Sequence, residues 1–407
     1  MKMAFYTNDL VCGNKHLMPW RMVLEVASNS NLFGHQTEVF SGRCYPSQEN
    51  WYYDNCLITE IEKPYNKNSL KSFCSILKER MFDVVFLPAA WRSAARQKML
   101  LEGVDMPVVW YVPGAYYLLN QVLKAIPNLN LRTVIPYLIQ SLYPKKYLVK
   151  QMLSARSCSM ITASDYTRQR ACQAGWPSDK IFTILSGKPS HSELSEDGKP
   201  DIFKEISEKL ARRPFYLFVG PPTSIRGIKQ FFRAFVSLAN KTDDVCLVCL
   251  FRSDSGTESA KIRKLVQKIS FNERIFCVWQ SVSKADMNCF MKACYAVTLP
   301  FLLVPSEIPL AVIEAAGHGK PVITTGPGGT GDFAEKFGMQ VPSGSIKSLS
   351  DAMLKLLRDK KFYLDKCDSA QKVFRSHPTW EQVAGQWSTI AQEAIVNESV
   401  VLLERVS

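Results

Sequence analysis

The sequence lacks several features that would assign it to a class at once. No stretch approaches ~20 consecutive uncharged apolar residues, which excludes a membrane-spanning helix. The N-terminal MKMAFYTND reaches Asp9 before the apolar core of a secretion signal can form, so the chain is expected to stay in the cytoplasm. No fixed repeat period marks a solenoid. Histidine is scarce, at five residues, and this limits the supply of general bases. Cysteine is not scarce, but its twelve residues are scattered through apolar segments without the paired spacing of a zinc site. The one CxxC, Cys246 and Cys249, falls inside VCLVCL, and both are expected as reduced thiols on one face of a buried strand. Between Asp105 and Asp165 there is no acidic residue at all.

What is present is a globular composition. With 46% hydrophobic and 21% charged residues and a mean hydropathy of −0.08, disorder and fibrous architectures are excluded. A chain of 407 residues exceeds one compact core and predicts two or three domains. The net charge of +13 is uneven. Residues 1–190 hold 22 Lys/Arg against 13 Asp/Glu, whereas the remainder holds 28 against 24. The acid-free interval 106–164 carries Lys124, Arg132, Lys145, Lys146, Lys150 and Arg156, interleaved with tyrosines.

Apolar runs alternate with helical patterns along the chain, which is the signature of parallel βαβ units. The first half reads as strands at 3–7, GHQTEVF, 81–88, 107–112, 159–163 and 181–185, with a helix from Pro19 to about Leu32. Residues 190–214 turn polar and are expected as a linker with one short helix. A second series follows: PFYLFVG, VCLVCLF, RIFCVW, CYAVTLP and KPVITTG. The predicted fold is therefore α/β, with two Rossmann-like domains facing a cleft: 1–190, and 191–380. A helix over about 381–400 is expected to return to the first domain, and the residues after Asn397 to form a short helix or a frayed end. Ligands of such sheets sit at the carboxyl ends of the strands.

Two stretches in the second half carry chemistry. After PFYLFVG comes PPTSIRG and then a helix; a strand, a glycine turn and a helix N-terminus can hold a phosphate, and Arg226 adds a fixed cation. Residues 299–333, LPFLLVPSEIPLAVIEAAGHGKPVITTGPGGTGDF, read as strand, loop, helix from Pro309, strand and glycine loop.

In this block the sequence resembles the retaining nucleotide-sugar glycosyltransferases of family 4, which have the GT-B fold. Pro305-Ser306, Glu314-Ala315-Ala316, Gly319-Lys320-Pro321-Val322 and Gly328-Gly329 match that family's pattern, as do Arg226-Gly227 and GHQTEVF. The resemblance implies that Glu314 accepts hydrogen bonds from the donor's ribose hydroxyls, and that Arg226 takes the diphosphate role of the family's lysine. It places Pro309, Leu310 and the Gly328-Gly329 loop near the sugar and the β-phosphate. It also places Gly13, with Asn14 and Lys15 beside it, in the first-domain loop that approaches the donor. The chain departs from the family in three ways. Glu307 to Glu314 is one residue shorter than the family spacing, so either Ser306 or Glu307 meets the sugar, with Glu307 favoured. Pro221 replaces an arginine in the glycine turn, and Pro113 replaces a histidine before Gly114. No general base is therefore assigned; a retaining front-face transfer does not require one from the protein.

The leaving nucleoside diphosphate is expected to be stabilised by Arg226, backbone N–H groups and helix dipoles, without a metal or other cofactor. Asp243-Asp244 runs straight into a strand and lacks a third ligand. The implied partners are a nucleotide-sugar donor (UDP- or GDP-linked) and a glycan or lipid-linked acceptor, in lipopolysaccharide or other surface polysaccharide synthesis. Residues 118–153, cut by prolines 127, 136 and 144, are expected as short interfacial helices that dock on anionic lipid at the inner membrane face. A soluble small-molecule acceptor is the competing reading. A basic nucleic-acid-binding protein without catalysis is the other, and nucleic acid is not the expected partner.

Overall fold

The structure is a computed structural model that describes residues 1–406 other than 48–49, 90–102, 116, 130, 155–157, 196–197, 253–256 and 304–305, and excluding the side chains of 257, 327 and 399–406. Arg156, Tyr116 and Pro305 thus lie outside the described residues. The chain divides into two compact units: Met1–Tyr116 with Ile139–Gly187 and Pro378–Ser407, and Tyr117–Leu138 with Lys188–His377.

The first unit is built on an eight-stranded sheet in the order β3-β4-β2-β1-β5-β6-β7-β8. Its strands are β1 (Lys2–Asn8), β2 (Gln36–Arg43), β3 (Trp51–Tyr53), β4 (Cys56–Glu62), β5 (Val84–Pro88), β6 (Val108–Tyr111), β7 (Ser159–Thr162) and β8 (Ile181–Thr183). All neighbours run parallel except the edge hairpin β3–β4. That hairpin, which the sequence reading missed, turns at Asp54 in a left-handed conformation with φ 49°. Burial on both faces explains the near-continuous apolar runs of the central strands. Phe5 of β1 stacks on Phe86 of β5 with centroids 4.5 Å apart, and Trp387 lies 5.3 Å from Phe86. Trp387 belongs to the last helix, Trp380–Val406, which packs on helix Trp20–Ser30 and on β5 and β6. No proline interrupts it, and it runs on through Asn397 instead of breaking there.

The second unit holds a six-stranded, all-parallel sheet in the order β11-β10-β9-β12-β13-β14. The strands are β9 (Phe215–Val219), β10 (Cys246–Leu250), β11 (Ile275–Val278), β12 (Ala296–Leu299), β13 (Val322–Thr325) and β14 (Met339–Val341). Strand order reverses between β9 and β12, so a crevice opens at their carboxyl ends. Cys246 and Cys249 are buried free thiols in β10, but residues three apart in a strand face opposite ways, which corrects the expectation of one shared face. Residues 190–214 are not a linker with one helix. They form His191–Leu194 and Asp201–Leu210, and the latter sets Phe203 edge-on against Phe290 at 5.1 Å while its N–H bonds Asp286 at 2.8 Å.

Residues Tyr117–Leu138, inside the stretch 1–190 read from sequence as one domain, pack with the second unit. Gln230 donates to Asn128 there at 2.8 Å, and Tyr117 meets Tyr137 edge-on at 5.4 Å. Pro136 does not cut the run. It sits inside helix Leu131–Leu142 at an exposed position, where water can bond the carbonyl that its missing N–H leaves open.

Candidate functional site: the carboxyl ends of β9, β12 and β13

The β9 turn is set by two glycines. Gly220 has φ 131° and donates its N–H to Leu250 at 3.1 Å. After the two prolines and Thr223, a single 3-10 turn (Ser224–Arg226) leads into Gly227, at φ 70°. A β-carbon on Gly227 would collide with the carbonyl oxygen of Pro300, so only glycine fits. Helix Ile228–Ala239 then begins, burying Phe231, Phe232 and Phe235 against the sheet. The turn is also held from outside: Glu258 accepts the hydroxyl of Ser224 at 2.9 Å and its N–H at 3.2 Å.

This scaffold places Arg226. Its guanidinium lies over Gly220 and 5.6 Å from the centroid of the Phe301 ring. Burial, and then the charge of Arg252, hold its pKa down at about 10, against an opposing effect of Tyr137 and Tyr117. Removing a guanidinium from water without a counter-ion costs several kcal/mol. A cation kept in this state is suited to an anionic ligand.

The loop after β12 is stitched to that turn and to β13. The N–H groups of Leu302 and Leu303 both donate to the carbonyl of Ile225, at 2.8 and 3.0 Å. Thr325 and Ser343 hydroxyls bond the carbonyl of Phe301 at 2.6 and 2.9 Å, and Thr324 bonds that of Leu299 at 2.7 Å. Ser306 and Glu307 are both buried, at 7% and 3% exposure, and the Thr330 hydroxyl donates to the Glu307 carbonyl. Pro309 caps helix Leu310–Gly317, with Leu310 half-buried at its first position and Glu314 half-buried one turn on. Gly328 and Gly329 take left-handed φ of 70° and 81°, making the sharp turn into Thr330–Glu335. The structure thus brings Arg226, Ser306, Glu307, Pro309, Leu310, Glu314, Gly328 and Gly329 to one end of one sheet.

Gly13 is in the other unit, in the loop after β1. A β-carbon there would meet nothing within 4 Å, and its φ is not left-handed, so the fold of the loop does not require glycine. Asn14 is already engaged: its Oδ1 accepts the Val11 N–H at 2.9 Å and its Nδ2 donates to Asp9 at 2.8 Å. Asn14 thereby helps to build this loop. Lys145 is likewise not a free cation. Its ammonium bonds the carbonyl of Gln140, and burial lowers its pKa to about 8.

His318 follows the end of helix Leu310–Gly317, away from the cap at Pro309. Burial, then Lys320 and Lys292, lower its pKa to about 4, so it is neutral near pH 7. Asp243 and Asp244 precede β10 at the opposite end of the sheet from the site. A concavity of about 500 Å³ between β8 and the last helix, lined by Asp165, Arg168, Thr183, Gln386 and Glu393 among others, holds none of the site residues. Arg252, which follows β10 by two positions, also lies at this sheet end and was not singled out from the sequence. The rule that ligands gather at the carboxyl ends of parallel strands was the available signal.

The stretch 201–373, which contains every site residue but Gly13, matches the family described as Glycosyl transferases group 1. Residues 201–373 are a glycosyl transferases group 1 domain. It is the domain of a glycosyltransferase, an enzyme. Solved structures agree on the fold across both units. A glycosyltransferase from Rickettsia africae ESF-5 is 16% identical, with a TM-score of 0.71 over 97% of this chain and 98% of that one. HepE of Anabaena, solved with UDP-glucose, is 14% identical, with a TM-score of 0.67 over 98% and 100%. WaaG, a glycosyltransferase involved in lipopolysaccharide biosynthesis, is 14% identical, with a TM-score of 0.65 over 95% and 99%. The fold is GT-B, with two α/β domains built on parallel sheets. No curated protein sequence matches the chain at a significant level.

Proposed function

We propose that this glycosyltransferase moves a sugar, with retention as in family 4, from a UDP- or GDP-sugar to a glycan or lipid-linked acceptor of surface polysaccharide synthesis at the cytoplasmic membrane face. The observation that carries the donor reading is Arg226, a half-buried cation lying over Gly220 at the carboxyl end of β9. In this reading residues 191–380 bind the donor and residues 1–190, with the last helix, bind the acceptor. Arg226 takes the diphosphate, Glu314 the ribose hydroxyls, and Glu307, with Ser306 as the alternative, the sugar. The Gly328-Gly329 turn, Pro309 and Leu310 line the sugar and β-phosphate, and Gly13 is a further donor-binding residue. As the glycosyl–phosphate bond breaks, the electron pair leaves with the diphosphate, and Arg226 stabilises that charge in a low-dielectric site. The reaction is proposed to be independent of metal; turnover abolished by EDTA and restored by Mg²⁺ would overturn that part.

Membrane docking is supported by helix Leu131–Leu142, whose Leu131, Ile135, Ile139 and Leu142 form one exposed apolar stripe. Exposed Lys146 and Lys150 follow in helix Lys145–Met152. Among the described residues no helix is long and apolar enough to cross a membrane, so attachment would be peripheral. The Anabaena structure with UDP-glucose supports a uridine donor, and the likeness to WaaG a lipopolysaccharide-type acceptor.

The test is hydrolysis of UDP- and GDP-sugars by the purified protein, with and without lipid extracts, beside vesicle sedimentation of wild type and of Ile135→Ser/Ile139→Ser/Lys146→Glu/Lys150→Glu. Lipid-stimulated turnover and loss of pelleting in the variant are expected. Stimulation by soluble sugars with no pelleting of either protein would replace the lipid-linked acceptor with a soluble one.

A further inference from the structure

We infer that Arg252 is a second phosphate-binding cation, closing on the donor's diphosphate opposite Arg226. The inference rests on the reading that Arg226 receives that diphosphate.

The backbone fixes where Arg252 starts. β9 and β10 are neighbours with Val219 opposite Leu250, and the Gly220 N–H donates to Leu250 at 3.1 Å. Arg252 therefore leaves β10 beside the glycine over which the Arg226 guanidinium lies. Its own position is pinned on both sides. The Phe251 N–H bonds the Val278 carbonyl at 2.8 Å, and the Ser281 hydroxyl bonds the Arg252 carbonyl at 2.8 Å. The residue itself is exposed.

The charges then bring two guanidinium groups within each other's field. Arg252 is close enough to Arg226 to lower its proton affinity, and Glu314 attracts Arg252 in turn. Among the described residues neither guanidinium forms an ion pair; the Arg226 group rests on the Phe301 ring. Two like charges held together at one sheet end suit a ligand bearing two or more negative charges. The turn itself supplies little else. Pro221 and Pro222 have no N–H to donate, so part of the usual backbone cradle for phosphate is absent and side chains must replace it. A planar guanidinium offers paired donors to phosphate oxygens.

The test uses the full chain. UDP, GDP, ADP and dTDP are screened by thermal shift, and the best is titrated by calorimetry into wild type, Arg252→Ala, Arg252→Lys and Arg226→Ala. Arg252→Ala is expected to weaken the nucleoside diphosphate about 10- to 100-fold, the range for a charge-assisted hydrogen bond. Arg252→Lys recovers part of that loss. The parent nucleoside, followed at millimolar concentration by saturation-transfer NMR, binds unchanged, which also shows that the variant is folded. An Arg252→Ala affinity within twofold of wild type, or an equal loss for the nucleoside, overturns the inference. If Arg226→Ala alone loses the diphosphate, the donor reading stands without Arg252. If wild type binds none of the four, or Arg226→Ala loses nothing, the donor reading falls and the inference with it.

Discussion

The guanidinium of Arg226 occupies the space above Gly220, where a β-carbon would come within 2.7 Å of its Nη1. The glycine serves twice, because its φ of 131° is also closed to other residues. Gly220→Ala is therefore expected to cost about 1–3 kcal/mol of stability through backbone strain. It should also push Arg226 off its position and lower nucleotide affinity more than the stability loss explains. Calorimetric titration of nucleoside diphosphate below the melting range checks this, and unchanged affinity would contradict it.

Glu314 and Glu307 are seven positions apart, yet one sits in a helix and the other in the buried loop before it. Glu314→Gln keeps the shape and removes the charge, and kcat/KM for the donor is expected to fall about 10- to 100-fold with the melting temperature little changed. For the sugar contact, Glu307→Gln is expected to lower kcat more than Ser306→Ala does. The reverse order would assign the contact to Ser306.

Trp387 carries the last helix onto the first unit's sheet, against Phe86, Phe5 and Tyr111 at 5.3, 6.4 and 5.8 Å. Trp387→Ala opens a large void among aromatic rings and is expected to destabilise that unit by about 3–5 kcal/mol. Denaturant unfolding monitored by circular dichroism measures the loss. A cost below 1 kcal/mol would mean that the helix is not part of the cooperative unit.

His318 has a folded pKa lowered from 6.5 to about 4, and its buried Nε2 has no hydrogen-bond partner among the described residues. The unfolded chain binds a proton there more readily than the folded one. The stability contribution is therefore complete above about pH 6.5 and is lost as pH falls toward 4. His318→Gln removes the titration, so the melting temperatures of wild type and variant should converge as pH is lowered from 7 to 4.5. A constant difference would show that His318 has the same pKa in the folded and the unfolded chain.

Much of the fold was legible because its signals are local. The apolar runs of β1, β9, β10 and β12 mark buried parallel strands, since such strands are covered on both faces. Glycines 227, 328 and 329 mark turns that only a left-handed residue can make. The three-residue strands β3 and β14 were not legible, because strands this short leave too little periodicity.

The sequence alone determined the order of the βαβ units, the β9 turn and the 299–333 block, because each depends on residues within a few turns of chain. Tertiary structure decided what distant segments do to one another. It moved Tyr117–Leu138 into the second unit and set Arg252 of the β10 end beside Arg226 of the β9 turn. Strand order decides which chain segments become neighbours in a sheet. The field acting on a charge depends on those neighbours, which no local pattern records.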